Sequence, residues 1–243
     1  MQLTVYGDFN CPYSFLASQR VDALQRLGWA EIDWRAVEHD PRLSKSGTAL
    51  DPQGEASRRE LAEVAALAMP GERPPDAFPA LVSNTLAAVS AFAEAVTDGV
   101  QDALRRALFD AIWIDQRHLS SAYAVRAVIT RIMCPPYPIE PYISAQLPLP
   151  GLGDPEPLHM TRVLGGTIAP NGIPVTTSGW RRCQHWRQAW LGLAEHVTPT
   201  VIDPIGTVLP GVRGLAYLAQ LLASPTANRE GTITEHAAVT PSA

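Results

Sequence analysis

The chain opens with an apolar segment that breaks abruptly and is followed at once by a cysteine and a proline. Residues 3–16 read LTVYGDFNCPYSFL, in which LTVY has the composition of a strand and Gly7 begins the break. Pro12 has a fixed φ and no N–H donor, which suits the first residue of a helix. We therefore predict a strand-to-helix junction at which Cys11 is the N-cap residue of the first helix.

Cys11 is the candidate reaction centre at this junction. A side chain at the start of a helix faces backbone N–H groups without intrahelical partners and the positive end of the helix dipole. Both favour a thiolate over a thiol, so we expect the pKa of Cys11 to be lowered. The alternative is a small buried hydrophobe, which is a common fate of free cysteine. The position of Cys11 favours the reactive interpretation.

The segment Cys11, Pro12, Tyr13 and Ser14, placed between a strand and the helical pattern FLASQRVDALQRLG, resembles the active-site motif of the DsbA-like thioredoxin-fold group. That group includes FrnE-type dithiol oxidoreductases, kappa-class glutathione transferases and 2-hydroxychromene-2-carboxylate isomerases. In the dithiol members the motif carries cysteines in the first and fourth places, whereas transferase and isomerase members commonly have serine first. The resemblance implies an α/β, thioredoxin-like fold with an α-helical insertion between the second and third strands.

The serine in the fourth place limits the chemistry that the resemblance implies. A dithiol oxidant resolves its mixed disulfide with a second thiolate one helical turn away, and Ser14 cannot supply one. Our leading hypothesis is a DsbA-like thiol-dependent oxidoreductase in which Cys11 is the single nucleophile, with Ser14 as its catalytic neighbour, and an external thiol releases the mixed disulfide. A second hypothesis is a kappa-like or isomerase-like enzyme in which Ser14 and the helix N-terminus hold a bound thiol. A third is a thioredoxin-fold binding protein without catalytic activity.

A second marker of this fold lies far downstream, in EHVTPTVIDPIGTVLPGVRGLAYLAQLL. The pattern predicts a strand at 197–203, a tight connection at 204–206, a short strand at 207–209 and a closing amphipathic helix. Strands at both ends of the chain are what a sheet interrupted by a long insertion requires.

Thr198 and Pro199 resemble the residue pair of thioredoxin folds in which a cis-proline faces the active-site cysteine. The resemblance implies that these two residues, together with Pro12 and Tyr13, contact the substrate. We expect that substrate to be a small thiol or disulfide. No tightly bound cofactor is expected, and the candidate ligand is a low-molecular-weight thiol, glutathione or an equivalent. The alternative for Pro199 is an ordinary proline at the first residue of an edge strand.

A long helical region separates the two ends of the chain. A second strand is expected at 32–37 and a polar loop at 41–55, and helical patterns then run at 56–69, 78–97, 98–115 and 119–133. The helical spacing of Phe109, Ile112 and Trp113 predicts core packing.

These patterns predict the domain organisation. A discontinuous thioredoxin-like domain is expected at 1–40 and 194–224, and a helical insertion at 41–193 is expected to form a lid over the cysteine. The insertion includes a proline-rich segment at about 134–178, and a mobile tail follows at 225–243. The proline-rich segment is hypothesised to wrap the surface of the insertion or to form a subunit contact, for example in a homodimer.

Three further residues are weaker candidates for the reaction. His118 falls where a helix ends, and polar residues there normally meet solvent, although it is a candidate acid or base. Cys134 is most simply structural. Cys183 is a candidate resolving thiol for Cys11, and it does not face His185 on the predicted helix, so no metal site is expected there.

Composition excludes several classes of function. No stretch of about 18 apolar residues occurs, so no membrane span is expected. The net charge is −5 with scattered basic residues, so we expect no nucleic-acid partner. The 3 cysteines are odd in number and spread along the chain, which fits a reducing compartment. With no basic and apolar leader pattern at the start, the expected location is the cytoplasm.

Overall fold

The computed structural model describes residues 1–52, 54–133 and 168–223. Within them the chain forms the following elements in order: β1 (Gln2–Gly7), α1 (Pro12–Arg26), β2 (Glu31–Ala36), β3 (Thr48–Ala49), α2 (Glu55–Leu67), β4 (Leu81–Val82), α3 (Leu86–Asp98), α4 (Gln101–Trp113), α5 (Ala122–Met133), α6 (Thr177–Leu191), β5 (Thr200–Ile202), β6 (Val208–Pro210) and α7 (Val212–Ala223).

Four of the strands form one mixed sheet in the order β2-β1-β5-β6, and β3 and β4 form a separate two-stranded sheet. β1 pairs with β2 in parallel, and Gly7 lies opposite Ala36 in that register. β5 runs antiparallel to β1, with Tyr6 opposite Thr200, and β6 runs antiparallel to β5. The strand from the downstream end therefore lies directly beside the strand from the N-terminus, which brings the two sequence markers together.

β1 lies in the interior of the sheet, and most of its residues are buried. Leu3, Val5 and Tyr6 are all almost completely buried, as expected for a strand covered on both faces. α1 and α7 pack against each other, and α3 and α6 both contact β2. The α/β class predicted from the sequence is confirmed, and α2 to α6 lie in the chain between β2 and β5, two strands of the mixed sheet. The exact domain bounds remain a prediction.

Aromatic side chains join the helical region to the segment that precedes the cysteine. The Phe109 ring centroid lies 5.0 Å from that of Phe9 and 5.8 Å from that of Trp34. The Trp113 Nε1–H donates to the Phe9 carbonyl at 2.9 Å. Phe109, Ile112 and Trp113 are buried, so the prediction that they pack in the core is confirmed.

One helix boundary predicted from the sequence was wrong. The helical pattern at 78–97 includes Leu81 and Val82, but these two residues form β4 and pair with β3 inside the expected polar loop at 41–55. Long-range pairing overrides the local helical pattern here, and α3 begins only at Leu86.

Some predictions concern residues beyond those described. Cys134, most of the proline-rich segment at 134–178 and the tail at 225–243 lie outside the described residues. In the part of the chain that the structure does describe, no helix combines the length and the apolar character that crossing a membrane requires.

Candidate functional site

The cysteine lies where β1 gives way to α1. The Cys11 N–H donates to the Asp8 carbonyl at 3.1 Å, and the Phe15 N–H donates to the Cys11 carbonyl at 3.1 Å. Cys11 has extended backbone angles and is the N-cap residue, and Pro12 is the first residue of the helix. The predicted junction is therefore confirmed in its local geometry.

The downstream marker contacts this junction directly. The Cys11 thiol donates a hydrogen bond to the Thr198 carbonyl at 3.1 Å. The Thr198–Pro199 peptide bond is cis, and the Pro199 carbonyl accepts from the Gly211 N–H at 2.7 Å. Residues from the two ends of the chain thus surround the sulfur.

The pKa of Cys11 differs in direction from the sequence-based expectation. Burial raises the pKa of the Cys11 thiol above that of an ordinary cysteine, and the residue as a whole is only 7% exposed. Hydrogen bonds with Ser14 and Thr198 act in the opposite direction without outweighing burial, and the nearby charge of Asp8 raises the pKa further. The expected lowering was wrong because desolvation of the sulfur exceeds the stabilisation that the helix N-terminus offers.

A cleft of about 630 Å³ opens beside the sulfur. Of the six predicted site residues, Cys11, Pro12, Tyr13 and Thr198 line it. The lining also includes the apolar residues Leu43, Leu50, Phe78 and Val82, together with the polar residues Asp40, Ser57 and Glu60. A volume of this size suits a small molecule rather than a folded partner.

Two predicted site residues do not line the cleft. Ser14 is completely buried, and its hydroxyl accepts a hydrogen bond from the Asp8 N–H at 3.3 Å. Pro199 is also buried, and it directly follows Thr198, whose carbonyl accepts from the thiol. Ser14 nevertheless contacts the reaction centre, because it hydrogen-bonds the Cys11 thiol.

Tyr13 ties α1 to the helical region at the edge of the cleft. Its hydroxyl donates to the Glu63 carboxylate at 3.1 Å. Burial, together with that hydrogen bond and the charge of Glu63, raises the pKa of Tyr13 to about 12. The phenol therefore stays protonated at neutral pH and acts as a donor.

A buried carboxylate under the cysteine was missed by the sequence reasoning. Asp8 is completely buried, and one carboxylate oxygen accepts from the Thr85 hydroxyl at 2.7 Å. The other accepts from the His39 backbone N–H at 2.8 Å and from its ring Nδ1 at 2.7 Å. His39 in turn lines the cleft together with Cys11. The only local signal is the position of Asp8 in the break before the cysteine, because its partners come from distant parts of the chain.

Glu38, next to His39 in the chain, is a second acid, and its side chain is 11% exposed. Burial and the charge of Asp8 raise its pKa to about 7, and the charges of Arg187 and Lys45 oppose the shift. Its carboxylate lies 3.9 Å from the Arg187 guanidinium. Glu38 is not one of the described residues that line the cleft.

The remaining candidates from the sequence lie elsewhere. Cys183 is not among the residues that line the cleft, and burial and the charges of Glu94 and Glu38 raise its pKa to about 12, so it is an unreactive thiol. His118 also lies outside the cleft and shares a 2.6 Å hydrogen bond with the Ser120 hydroxyl. The described residues contain no cluster of His, Cys, Asp and Glu side chains suited to a metal ion.

Comparison with known proteins identifies the family and the fold of the chain. The model of the DSBA-like thioredoxin domain matches residues 2–132. The fold is similar to that of a probable DsbA oxidoreductase from Streptomyces coelicolor, at 14% identity over 92% of this chain and 88% of that chain, with a TM-score of 0.59. It is also similar to a 2-hydroxychromene-2-carboxylate isomerase, at 16% identity over 92% and 95% of the two chains, with a TM-score of 0.57.

A third similar structure is the cytosolic disulfide reductase DsbM from Pseudomonas aeruginosa, at 14% identity over 92% of this chain and 96% of that chain, with a TM-score of 0.52. No curated protein sequence matches the chain. At these identities the similar structures support the fold, while the reaction has to be argued from the residues around the sulfur.

Proposed function

Because the chain belongs to the DSBA-like thioredoxin domain family, a thiol-oxidoreductase-like family of enzymes, we propose that it catalyses thiol–disulfide exchange on small disulfides through the single cysteine Cys11. The observation that carries the proposal is the placement of the Cys11 sulfur at the wall of a cleft of about 630 Å³, at the first turn of α1 and 3.1 Å from the Thr198 carbonyl. A nucleophile, a ligand-sized space and a neighbouring backbone acceptor thus share one site.

The reaction has two balanced half-reactions. The Cys11 thiolate attacks a disulfide RS–SR′, so that the S–S bond breaks, a Cys11–SR bond forms and R′S⁻ leaves with the electron pair. An external thiol R″SH then attacks the mixed disulfide, which restores Cys11 and releases RS–SR″. The external thiol is needed because Ser14 replaces a resolving cysteine and because Cys183 does not line the cleft.

A reducing compartment supplies such a thiol. The scattered positions of Cys11, Cys134 and Cys183 fit that setting, so we place the reaction in the cytoplasm, with glutathione or an equivalent low-molecular-weight thiol as the external reductant. Thr198 and Pro12, which line the cleft together with Cys11, are the residues proposed to contact the substrate, and Tyr13 lines the same cleft and bonds to Glu63 of α2.

The test compares two cysteine variants. Cys11→Ala and Cys183→Ala are assayed for mixed-disulfide formation by intact mass and for turnover of hydroxyethyl disulfide with glutathione. The proposal expects Cys11→Ala to lose both readouts and Cys183→Ala to keep them, with far-ultraviolet circular dichroism establishing that each variant is folded. Unchanged turnover in folded Cys11→Ala would overturn the proposal.

The protonation of Cys11 favours a second candidate function in the same cleft. Burial raises the pKa of the thiol, and the thiol donates to a carbonyl, so Cys11 is held as a hydrogen-bond donor. A donor here could stabilise the thiolate of a bound thiol cofactor, as in a transferase-like or isomerase-like reaction. Cys11→Ser separates the two candidates, since serine keeps the donor but forms no disulfide. If Cys11→Ser retains turnover in the assay with hydroxyethyl disulfide and glutathione, the cofactor-holding function is selected. If the variant loses that turnover, thiol–disulfide exchange is selected.

A further inference from the structure

His39 is a titratable side chain of the cleft that is held in place by two contacts with one buried carboxylate. Its ring Nδ1 lies 2.7 Å from the Asp8 carboxylate, and its backbone N–H donates to the same oxygen at 2.8 Å. Asp8 is itself immobilised by the Thr85 hydroxyl at 2.7 Å, with its side chain 1% exposed. With Nδ1 engaged, Nε2 is the ring nitrogen left for a ligand.

The exposure of the imidazole agrees with that role. The His39 side chain is 41% exposed, and the residue lines the same cleft as Cys11 and Thr198. A histidine that only supported the fold would not need an accessible ring at the wall of a ligand-sized space. An acid or base whose second ring nitrogen is oriented by a buried carboxylate is a recurring arrangement around catalytic nucleophiles.

The charges around His39 favour its protonated form. Asp8 reaches it from the end of β1, Asp40 is its neighbour in the chain, and Glu60 faces it from α2. The hydrogen bond to Asp8 is the largest cause that raises the pKa of His39, its partial burial acts the other way, and the negative charges of the three carboxylates raise the pKa further. The ring therefore keeps a proton at a higher pH than an isolated histidine does.

Resting on the proposed exchange reaction, we propose that His39, held by Asp8, is the general acid that protonates the sulfur leaving when Cys11 attacks a disulfide. The thiol of Cys11 first releases its proton to water. The thiolate then attacks RS–SR′, the Cys11–SR bond forms, and R′S⁻ takes the proton of the His39 Nε2 and departs as R′SH. His39 regains a proton from water, so charge and protons balance over the cycle.

This role matters most for disulfides with poor leaving groups. An alkyl thiol is a weak acid, with a pKa of about 8.5 for cysteine itself, so its thiolate leaves less readily than one derived from a more acidic thiol. A proton delivered to the departing sulfur removes that disadvantage. An aromatic disulfide such as dithiodipyridine, whose leaving group is stable without such help, gains little.

The experiment measures the rate of Cys11 modification by hydroxyethyl disulfide and by dithiodipyridine, in the wild-type chain, in His39→Gln and in His185→Gln. His185 lies exposed on α6, outside the cleft, so its variant is a matched control. Dividing the two rates cancels any change in the fraction of Cys11 present as thiolate. General acids typically contribute 10²- to 10⁴-fold to a rate. We therefore expect the ratio of the hydroxyethyl disulfide rate to the dithiodipyridine rate to fall by about 10²-fold in His39→Gln and to stay unchanged in His185→Gln.

A second measurement needs no variant. In the wild-type chain the ratio of alkyl to aromatic rates should fall as the pH rises through the ionisation of His39, because the acid form disappears while the thiolate of Cys11 increases. A ratio that is independent of pH and equal in wild type and His39→Gln would overturn the role of His39 while leaving the exchange reaction intact. No reaction of Cys11 with either disulfide would overturn the proposed function itself.

Discussion

Cys11 and Thr198 stand 187 positions apart in the sequence, yet the thiol of the first donates to the carbonyl of the second at 3.1 Å. The pairing of β1 with β5 is what makes this contact, because it places the start of the downstream strand beside the start of α1. The sulfur is thereby enclosed by backbone from both ends of the chain. Its reactivity follows from that enclosure.

The first prediction concerns the reaction of Cys11 with iodoacetamide. Since burial raises the pKa of the thiol and the hydrogen bonds with Ser14 and Thr198 do not outweigh it, the alkylation rate should be low at neutral pH and should rise into the alkaline range. Peptide mass mapping across a pH series measures this rate. Cys183, whose pKa is raised to about 12, should stay unmodified over the same range.

The opposite outcome of this measurement is equally informative. An apparent pKa of Cys11 below that of a free thiol would mean that the helix N-terminus dominates over burial, as the sequence alone suggests. It would contradict the environment described for the sulfur.

The second prediction concerns Glu38 and the stability of the fold. Its pKa is raised from the ordinary 4.5 to about 7, so the folded chain binds this proton more tightly than the unfolded chain does. The associated stability is present in full below pH 4.5 and is lost as the pH rises through about 7. Glu38→Gln removes the buried charge and should raise the free energy of unfolding at pH 8 by roughly 1–3 kcal/mol.

Urea unfolding of wild type and Glu38→Gln at pH 4.5 and at pH 8 measures this effect. The difference between the two proteins should be small at the lower pH and should grow at the higher one. Glu31→Gln, at an exposed position of β2, serves as the control and should show no such growth. A gain that is the same at both pH values would contradict the assignment to the buried charge.

The third prediction concerns Arg20, which joins three helices behind the site. Its side chain is 2% exposed, and it donates to the Glu72 carboxylate at 2.8 Å, to the Leu215 carbonyl at 2.7 Å and to the Leu67 carbonyl at 2.6 Å. Arg20→Met leaves Glu72 and two carbonyls without this donor, so we expect a loss of about 3–5 kcal/mol in the free energy of unfolding.

Arg26→Met is the matched control for this change, since Arg26 lies exposed near the end of the same helix. Equilibrium unfolding in urea compares the two variants with the wild type. If both variants lose the same small amount, Arg20 does not hold α1 to α2 and α7 as its contacts indicate.

Local features of the site could be predicted from the sequence, whereas features that depend on contacts between distant residues could not. Pro12 restricts its own backbone, so the helix start and the N-cap position of Cys11 could be predicted. The contacts of Asp8 with His39 and Thr85 span 31 and 77 positions, and no periodic pattern encodes them. The direction of the Cys11 pKa was mispredicted for the same reason, because burial arises only when the sheet and the helical region pack.

The last prediction concerns Gly7, the final residue of β1, where the chain turns towards Asp8 and the cysteine. A Cβ atom at this position would overlap the Trp34 indole, which is 4% exposed and packs against Phe109. Gly7→Ala should therefore displace the indole or the end of β1, and overpacking of this kind costs about 1–3 kcal/mol. Because the Gly7 carbonyl also accepts from the Val37 N–H at 3.0 Å, the displacement should reach the segment that carries His39.

Thermal unfolding and the rate of Cys11 alkylation together test this coupling. Gly192→Ala is the control, because a Cβ atom there would meet its nearest neighbour, the Ala189 carbonyl oxygen, at 3.4 Å, and the residue has a φ of −77°. The control should unfold like the wild type, whereas Gly7→Ala should unfold at a lower temperature and expose Cys11 to faster alkylation. A Gly7→Ala variant that matches the wild type in both measurements would show that the Trp34 packing does not hold the cysteine junction in place.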